Sequence, residues 1–288
     1  MIDFNDQIAL VTGAGRGLGL AYASKLATSG AKVFLQDTGA DTNGSGTDPA
    51  VAKAAAAGLT SKGFDAVPMG GSLASRQGCR DLVDEIIAST GRLDIVIHNA
   101  GWVGYEEIAD IREEAFDEMM AVAAKAPLWL AQAAWPSMKA AGYGRILLTT
   151  SDRALYPDYV QPGLAAYAAA KMAAVGIVNV LAHEGLPHGI LVNAISPVAK
   201  TRMWGVDGEP DELRPSDVAP GALYLVSSAC NDGGWILRAS NGQFHATRAC
   251  EADAVEYPRN INAVHAATVD DIAANWPAIA VRQVEARA

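Results

Sequence analysis

Residues 8–19 constrain this chain more than any other segment. The apolar run Ile8-Ala-Leu-Val11 leads straight into Thr12-Gly-Ala-Gly-Arg-Gly-Leu-Gly19. A strand that ends in a glycine-rich turn and opens a helix belongs to a parallel α/β fold. The bare backbone N–H groups of such a turn, with the positive end of the helix behind them, suit a pyrophosphate. The spacing is Thr-Gly-x-x-x-Gly-x-Gly, set by Thr12, Gly13, Gly17 and Gly19. It is not Gly-x-Gly-x-x-Gly, because Leu18 and Leu20 stand where the last glycine of that pattern would fall. Taken alone, the loop also fits a turn that merely redirects the chain. An acid at the right distance argues against that reading. Asp37, at the end of the second strand, can accept from both hydroxyls of an adenosine ribose and repel a 2′-phosphate. The expected cofactor is therefore NAD rather than NADP. Arg16 has two readings, a contact to the pyrophosphate or a surface ion pair.

Strand-like and helix-like stretches alternate along most of the chain. Strands are expected at Ile8–Thr12, Lys32–Gln36, Ile95–His98, 145–150, 190–195 and 235–239. Helices are expected at 18–29, Arg76–Thr90, 113–140, 167–182 and Pro215–Val226, with Pro127 and Pro136 kinking or breaking the long one. Repeated β-α-β units with right-handed crossovers give a doubly wound parallel sheet of Rossmann type, with ligands at the carboxyl ends of its strands. Residues 38–50 form a polar, glycine-rich loop of unusual length, either functional or mobile. From Arg248 the periodicity fades until a helix at 269–281. The expected organisation is thus a single NAD-binding catalytic domain over 1–247 and a C-terminal extension over 248–288, packed on the domain or at a subunit interface.

Composition sets limits on partners. Half of the 288 residues are hydrophobic, as a sheet covered on both faces requires. A net charge of −10 argues against nucleic acid or an anionic membrane as partner, and an anionic substrate would need a local cluster of Arg or Lys. Three scattered cysteines (Cys79, Cys230, Cys250) without a CxxC pair fit a reducing compartment. With no signal-peptide pattern and no apolar run of bilayer length, the expectation is a soluble cytoplasmic protein. The five histidines show no zinc spacing, so no metal is expected, and there is no Gly-x-Ser-x-Gly nucleophile elbow.

Tyr167 and Lys171 stand at i and i+4 on one helix and share a face. A phenol titrates near pH 10, too high for an efficient base at neutral pH, and a neighbouring ammonium stabilises its phenolate. Ser151, after the strand that ends in Thr149-Thr150, can polarise a substrate oxygen. The three form an acid/base set for alcohol/ketone exchange. Tyr-x-x-x-Lys alone is equally a surface-helix pair; its weight comes from the cofactor loop in the same chain.

With Thr12-Gly-x-x-x-Gly-x-Gly19, Asn99-Ala-Gly101, Ser151, Tyr167-x-x-x-Lys171 and Pro197…Thr201, the chain resembles the short-chain dehydrogenase/reductase family over about residues 5 to 245. The resemblance implies a seven-stranded parallel sheet, a nicotinamide cofactor, a small-molecule substrate and a homodimer or homotetramer. By it, Gly13, Arg16, Gly17, Leu18 and Gly19 hold the pyrophosphate, and Asn99 and Gly101 support the adenosine side. Ser72 and Leu73 flank the adenine, and Pro197, Val198 and Thr201 meet the nicotinamide, with Tyr167 and Lys171 beside its ribose. Within the family the closer likeness is to the 3-hydroxyacyl-CoA dehydrogenase module of peroxisomal multifunctional enzymes, a branch also described as 17β-hydroxysteroid dehydrogenases. It rests on Gln36-Asp-Thr-Gly with the glycine-rich insertion, Ala134-Trp-Pro-Ser-Met-Lys139, Tyr143-Gly-Arg-Ile146, Pro215-Ser-Asp-Val-Ala-Pro220 and Ala274-Asn-Trp276.

Three features depart from the family pattern. Ala123 stands where an Asn often anchors a proton-relay water. Ser151 and Tyr167 lie 16 residues apart where about a dozen is usual, which implies an insertion near Pro162-Gly-Leu164 over the substrate pocket. His98 replaces an Asn and reads as a satisfied buried or rim residue. Trp129 and Trp135 read as packing residues, while Trp102 and Trp204 border the pocket. Asp152 and Arg153 pair with each other, or Arg153 meets a substrate anion. Arg153, Lys200, Arg202 and Arg214 are the cations available to a CoA ester. The expected activity is NAD-dependent oxidation of a secondary alcohol, with a 3-hydroxyacyl-CoA ahead of a hydroxysteroid or another bulky alcohol. The alternative is a non-catalytic NAD-binding sensor or assembly subunit.

Overall fold

Strand β1 (Ile8–Thr12) is apolar up to its last residue because both its faces are covered. Ala9 and Val11 point into one hydrophobic layer and Leu10 into the other. The same period of two divides Val33 and Leu35 from Phe34 on β2 (Lys32–Gln36), and Ile95 and Ile97 from Val96 on β4 (Ile95–His98). This computed structural model describes residues 2–206, 208–251 and 254–280. Helices α1 (Gly17–Thr28), α2 (Ala50–Thr60) and α8 (Pro215–Val226) cover one face through Tyr22, Leu26, Leu59 and Val218. Helices α3 (Arg76–Thr90), α5 (Ala126–Ala141) and α7 (Ala165–Gly185) cover the other through Leu82, Ile86, Leu130, Met138 and Val178.

With β3 (Ala66–Met69), β5 (Gly144–Thr149), β6 (Ile190–Val198), β7 (Ile236–Ser240) and β8 (Gln243–Thr247), the strand order is β3-β2-β1-β4-β5-β6-β7-β8. The seven parallel strands are those of the expected doubly wound sheet. The eighth, β8, is an addition that pairs antiparallel with β7 across the turn at Asn241-Gly242. β3 carries Pro68, which cannot donate to a ladder and stands on the outermost strand, where such a residue is tolerated. The register sets Thr12 beside both Gln36 and His98, so the residues that follow these strands converge at one edge.

The long helical stretch is not broken at its prolines. α4 (Glu113–Met120) passes through a π turn over Ala121–Lys125 directly into α5, and Pro136 lies inside α5. Pro127 occupies the first turn after the π turn, where it is compatible with the helix. Helix α7 is long and apolar enough to cross a bilayer by length and composition, unlike any run expected from the sequence. Its Ala174 and Val178 nevertheless belong to the sheet's core layer, the place of a core helix.

The chain divides into two compact units at Thr247–Arg248. The second contains α9 (Val269–Ile279), whose N-cap Thr268 accepts from the Asp271 N–H at 3.1 Å while the Asp271 carboxylate accepts from the Thr268 N–H at 3.0 Å. Val281, the last residue of the expected helix, lies outside the described residues.

Candidate active site

The carboxyl ends of the central strands open on a cleft of about 1620 Å³, wider than the roughly 300–1,000 Å³ of a pocket for one small ligand. It lies where the strand order reverses between β1 and β4. Gly13, Arg16, Gly17, Leu18, Asp37, Ser72, Leu73, Asn99, Gly101, Ser151, Tyr167, Lys171, Pro197, Val198 and Thr201 all line it. Gly19 sits behind the loop, where a Cβ would overlap the Gly13 carbonyl oxygen. Its role is to let α1 rest on the loop.

At the glycine-loop end the geometry is made by backbone. Gly13 has φ +61°, and a Cβ there would come within 2.9 Å of the Ala100 Cα. Asn99 Nδ2 donates to the Gly13 carbonyl at 3.2 Å, tying the loop to β4. Both oxygens of Asp37 hold main chain: Oδ2 accepts from the Gly15 N–H at 2.8 Å and Oδ1 from the Gly39 N–H at 2.7 Å. Each oxygen keeps acceptor capacity for a further donor. Arg16 forms no ion pair among the described residues and faces the cleft. The polar loop after β2 is folded on itself. The Asp41 carboxylate accepts from the Asn43 and Ser45 N–H groups at 2.8 and 2.9 Å. Gly44 lies against the Trp102 indole, where a Cβ would meet Cδ2 at 2.6 Å.

At the other end side chains make the geometry. Ser151 caps α6 (Asp152–Leu155), its Oγ accepting from the Arg153 N–H at 3.3 Å, and is hydrogen-bonded to the Tyr167 phenol. The long spacing between the two is taken up by α6 and a single turn at Pro157–Tyr159. Lys171 Nζ donates to the Thr149 carbonyl at 3.1 Å and lies 5.7 Å from the Tyr167 ring centroid. Thr150 is buried, and its hydroxyl donates to the Lys171 carbonyl at 2.9 Å.

Burial governs the electrostatics. It pushes the Tyr167 phenol up, and the Ser151 hydrogen bond and the Arg153 charge pull it back. Burial lowers the Lys171 ammonium to about 8. Ser151 and Arg153 thus act on the phenol together, and the Lys171 ammonium stands beside its ring while donating to Thr149.

Asp152 and Arg153 do not pair with each other. Asp152 Oδ2 accepts from Arg238 at 2.8 and 3.0 Å and Oδ1 from Ser196 Oγ at 2.7 Å, which clamps the turn after Ser151 onto β6 and β7. Arg153 Nη1 donates to the Tyr105 hydroxyl at 2.7 Å, and Tyr105 donates to Gln161 at 3.1 Å. Residues 158–161 border the cleft, not Pro162–Leu164 as expected. Lys200 is paired with Glu212 at 2.6 Å. Arg214 is turned to the Pro210 and Asp211 carbonyls at 3.1 and 3.2 Å and is absent from the cleft lining. Arg153 and Arg202 are thus the candidate cations left facing the cleft without a salt-bridge partner among the described residues. Trp102 and Trp204 line it, and Trp129 and Trp135 pack against the core.

His98 is buried and satisfied. Nδ1 lies 3.0 Å from Thr12 Oγ1 and Nε2 lies 3.0 Å from the Val122 carbonyl. Burial, then the Lys171 charge, lower it to about 3, so the ring is neutral. Sequence reasoning missed Arg238 and Val122, which reach the site from a distant strand and from the π turn. For Val122 the sequence did carry a signal in Pro127, which cannot serve as a main-chain donor.

A family model described as short chain dehydrogenase matches residues 7–210. The peroxisomal multifunctional enzyme type 2 of Mus musculus is 35% identical over 242 residues, 83% of this chain and 32% of that protein. The chain therefore spans about a third of the length of that relative. Among solved structures, a short chain dehydrogenase from Mycobacterium avium superposes with a TM-score of 0.81 at 28% identity, covering 96% of this chain and 95% of the other. A metagenomic short-chain oxidoreductase in complex with NADP gives a TM-score of 0.66 at 27% identity, covering 77% and 91%.

Proposed function

The chain belongs to the short-chain dehydrogenase family, and we propose that it is an NAD-dependent oxidoreductase that interconverts a secondary alcohol and a ketone, with a 3-hydroxyacyl-CoA as substrate. One observation carries the reaction type: Ser151, the buried Tyr167 phenol and buried Lys171 line one end of a cleft whose other end is a glycine cradle. The fit to a dinucleotide rests on that cradle, whose close turn needs Gly13 at φ +61° and Gly19 bare against the Gly13 carbonyl, and on the N-terminus of α1 behind it. The loop 13–19 would hold the pyrophosphate and Asp37 the adenosine ribose. Ser72 and Leu73 would flank the adenine, Lys171 would hold the second ribose, and Pro197, Val198 and Thr201 would border the nicotinamide. Asp37 favours NAD, since a 2′-phosphate would face its carboxylate; a relative solved with NADP makes the comparison of both cofactors part of the test. When bound, the nicotinamide supplies the two-electron exchange with the carbinol carbon.

The protein's own residues handle the proton and the oxygen. Tyr167 takes the hydroxyl proton during oxidation and returns it to the forming alcohol during reduction. Ser151 holds the substrate oxygen against the phenol, and Arg153 adds positive charge that favours the phenolate. The substrate class rests on the likeness to the 3-hydroxyacyl-CoA dehydrogenase branch; a hydroxysteroid is the next choice. Exposed Met172 and Val180 on α7 support self-association as a homo-oligomer. The non-catalytic reading is disfavoured by the intact Ser151, Tyr167 and Lys171 set.

The test is NADH and NADPH consumption with a medium-chain 3-ketoacyl-CoA, using Tyr167→Phe as control. Turnover should fall about 10²–10⁴-fold in the variant while NADH binding survives. A variant that keeps most of its turnover removes Tyr167 from the mechanism. No wild-type turnover, with NADH binding intact, moves the substrate to steroid or alicyclic alcohols.

A further inference from the structure

The departure at position 98 meets the π turn that contains the departure at position 123. The π turn runs through Ala121–Lys125, and the Ala126 N–H already reaches back five residues to the Ala121 carbonyl. The next link in that pattern would join the Val122 carbonyl to the nitrogen of residue 127. Residue 127 is Pro and has no hydrogen to give. The Val122 carbonyl is therefore released from its own helix, and His98 Nε2 stands 3.0 Å from it.

The hydrogen bonds around His98 run in one direction only. A carbonyl can only accept, so Nε2 carries the ring proton, and Nδ1 of the neutral ring must accept. Its partner is the Thr12 hydroxyl at 3.0 Å. Thr12 Oγ1 in turn accepts from the Asn99 and Ala100 N–H groups at 3.1 and 3.2 Å, so its own hydrogen is free for His98. Every donor in this network finds an acceptor, and Thr12 Oγ1 accepts twice and donates once. The network joins the root of the glycine loop, through Thr12, to the wall of the substrate end, through Val122, which lines the cleft beside Glu118.

We propose that His98 is a positioning residue that braces both halves of the cleft at once: its δ side fixes the root of the cofactor loop and its ε side fixes the π turn that walls the substrate. Neither side touches the reacting atoms. The assignment of the two sides rests on the cofactor and substrate ends named under the proposed function, whereas the ring's tautomer and its partners do not.

Asparagine and glutamine separate the two sides, because an Asn carbonyl falls near the place of Nδ1 and a Gln amide nitrogen near the place of Nε2. His98→Asn keeps the acceptor for Thr12 and gives up Val122. His98→Gln keeps the donor to Val122 and gives up Thr12. The expected result is a crossed pattern. In His98→Asn, NADH affinity stays within about twofold and kcat/KM for the ketone at saturating NADH drops about tenfold or more. In His98→Gln, NADH affinity weakens about tenfold or more, and kcat/KM at saturating NADH holds within about threefold. Equal losses in both variants, by misfolding or otherwise, or no loss in either, would overturn the proposal.

A second measurement needs no substrate. Nitrogen-15 spectra of the wild-type imidazole should show a single neutral tautomer protonated at Nε2, unchanged from pH 5 to 9. A protonated ring or an Nδ1–H tautomer overturns the proposal even where turnover is normal. Absence of turnover with the expected tautomer counts against the substrate assignment instead.

Discussion

The two ends of the cleft are built on different principles. At the nucleotide end, backbone does the shaping: Gly13 passes close to Ala100, Gly19 passes close to Gly13, and Asp37 grips two main-chain N–H groups. At the catalytic end, side chains from α6, α7 and β7 converge, and Ser151 is steadied by its neighbour Asp152, which is held by Arg238 from a distant strand. The first end tolerates almost no added atoms. The second tolerates changes of shape but depends on where charge is placed. Damage at the first should therefore appear as lost binding and lost stability together, and damage at the second as lost turnover alone.

The sharpest break of that contrast is Gly19→Ala set against Lys171→Met. The added methyl overlaps the Gly13 carbonyl and must displace α1 or the loop. NADH affinity should fall on the order of 100-fold and the fold should lose about 2 kcal/mol or more, read by fluorescence titration and chemical denaturation. Lys171→Met should do the reverse to stability. The buried ammonium is held at about 8, below its usual value, so the fold disfavours its charge. At pH 7 the variant should melt at a higher temperature than the wild type while turnover drops about 100-fold. The gain should shrink between pH 8 and 10.5, because there the wild-type lysine loses its proton in the fold before it does in the unfolded chain. A Lys171→Met protein that melts lower would show that the ammonium is stabilising and that the contrast between the two ends is misplaced.

A pH dependence sharpens the comparison from between the two ends. His98 is lowered to about 3 in the fold against an ordinary 6.5, so on acidification the unfolded chain takes up the proton first. Its contribution is intact above about pH 6.5 and is lost as pH falls toward 3, at about 1.4 kcal/mol per pH unit. Denaturation curves of wild type and His98→Asn should converge over that interval. Parallel curves would mean that the imidazole titrates normally.

The same contrast explains what the sequence made legible. Glycines that shape backbone must be contiguous with the turn they make, so residues 12–19 announced the strand, the loop and the helix together. Asp37 could be found because one strand end fixes its distance from the loop. Ser151, Tyr167 and Lys171 could be named one by one, yet their surroundings could not. Asp152 finds Arg238 from 86 positions away, and Arg153 turns to Tyr105. Such partners are chosen by the register of β5, β6 and β7, which no local pattern records. β3 was hidden by Pro68, a residue that argues against a strand unless the strand is known to be outermost. β8 was hidden because its residues are largely exposed and show no buried alternation. The π turn was legible only as a kink or break, because Pro127 signals a missing donor and does not say which carbonyl is released.

Asp37 leaves a last consequence, one for drift over generations. The carboxylate expected to choose between cofactors is also the pin that joins the glycine loop to the segment after β2. A lineage moving toward the other cofactor cannot simply exchange this acid, because the first step would unfasten the loop before any new preference appeared. The path must supply, in the same step, another acceptor for the Gly15 and Gly39 N–H groups. Such coupled steps are rare, so choice of cofactor here is held in place by architecture as much as by selection for the chemistry.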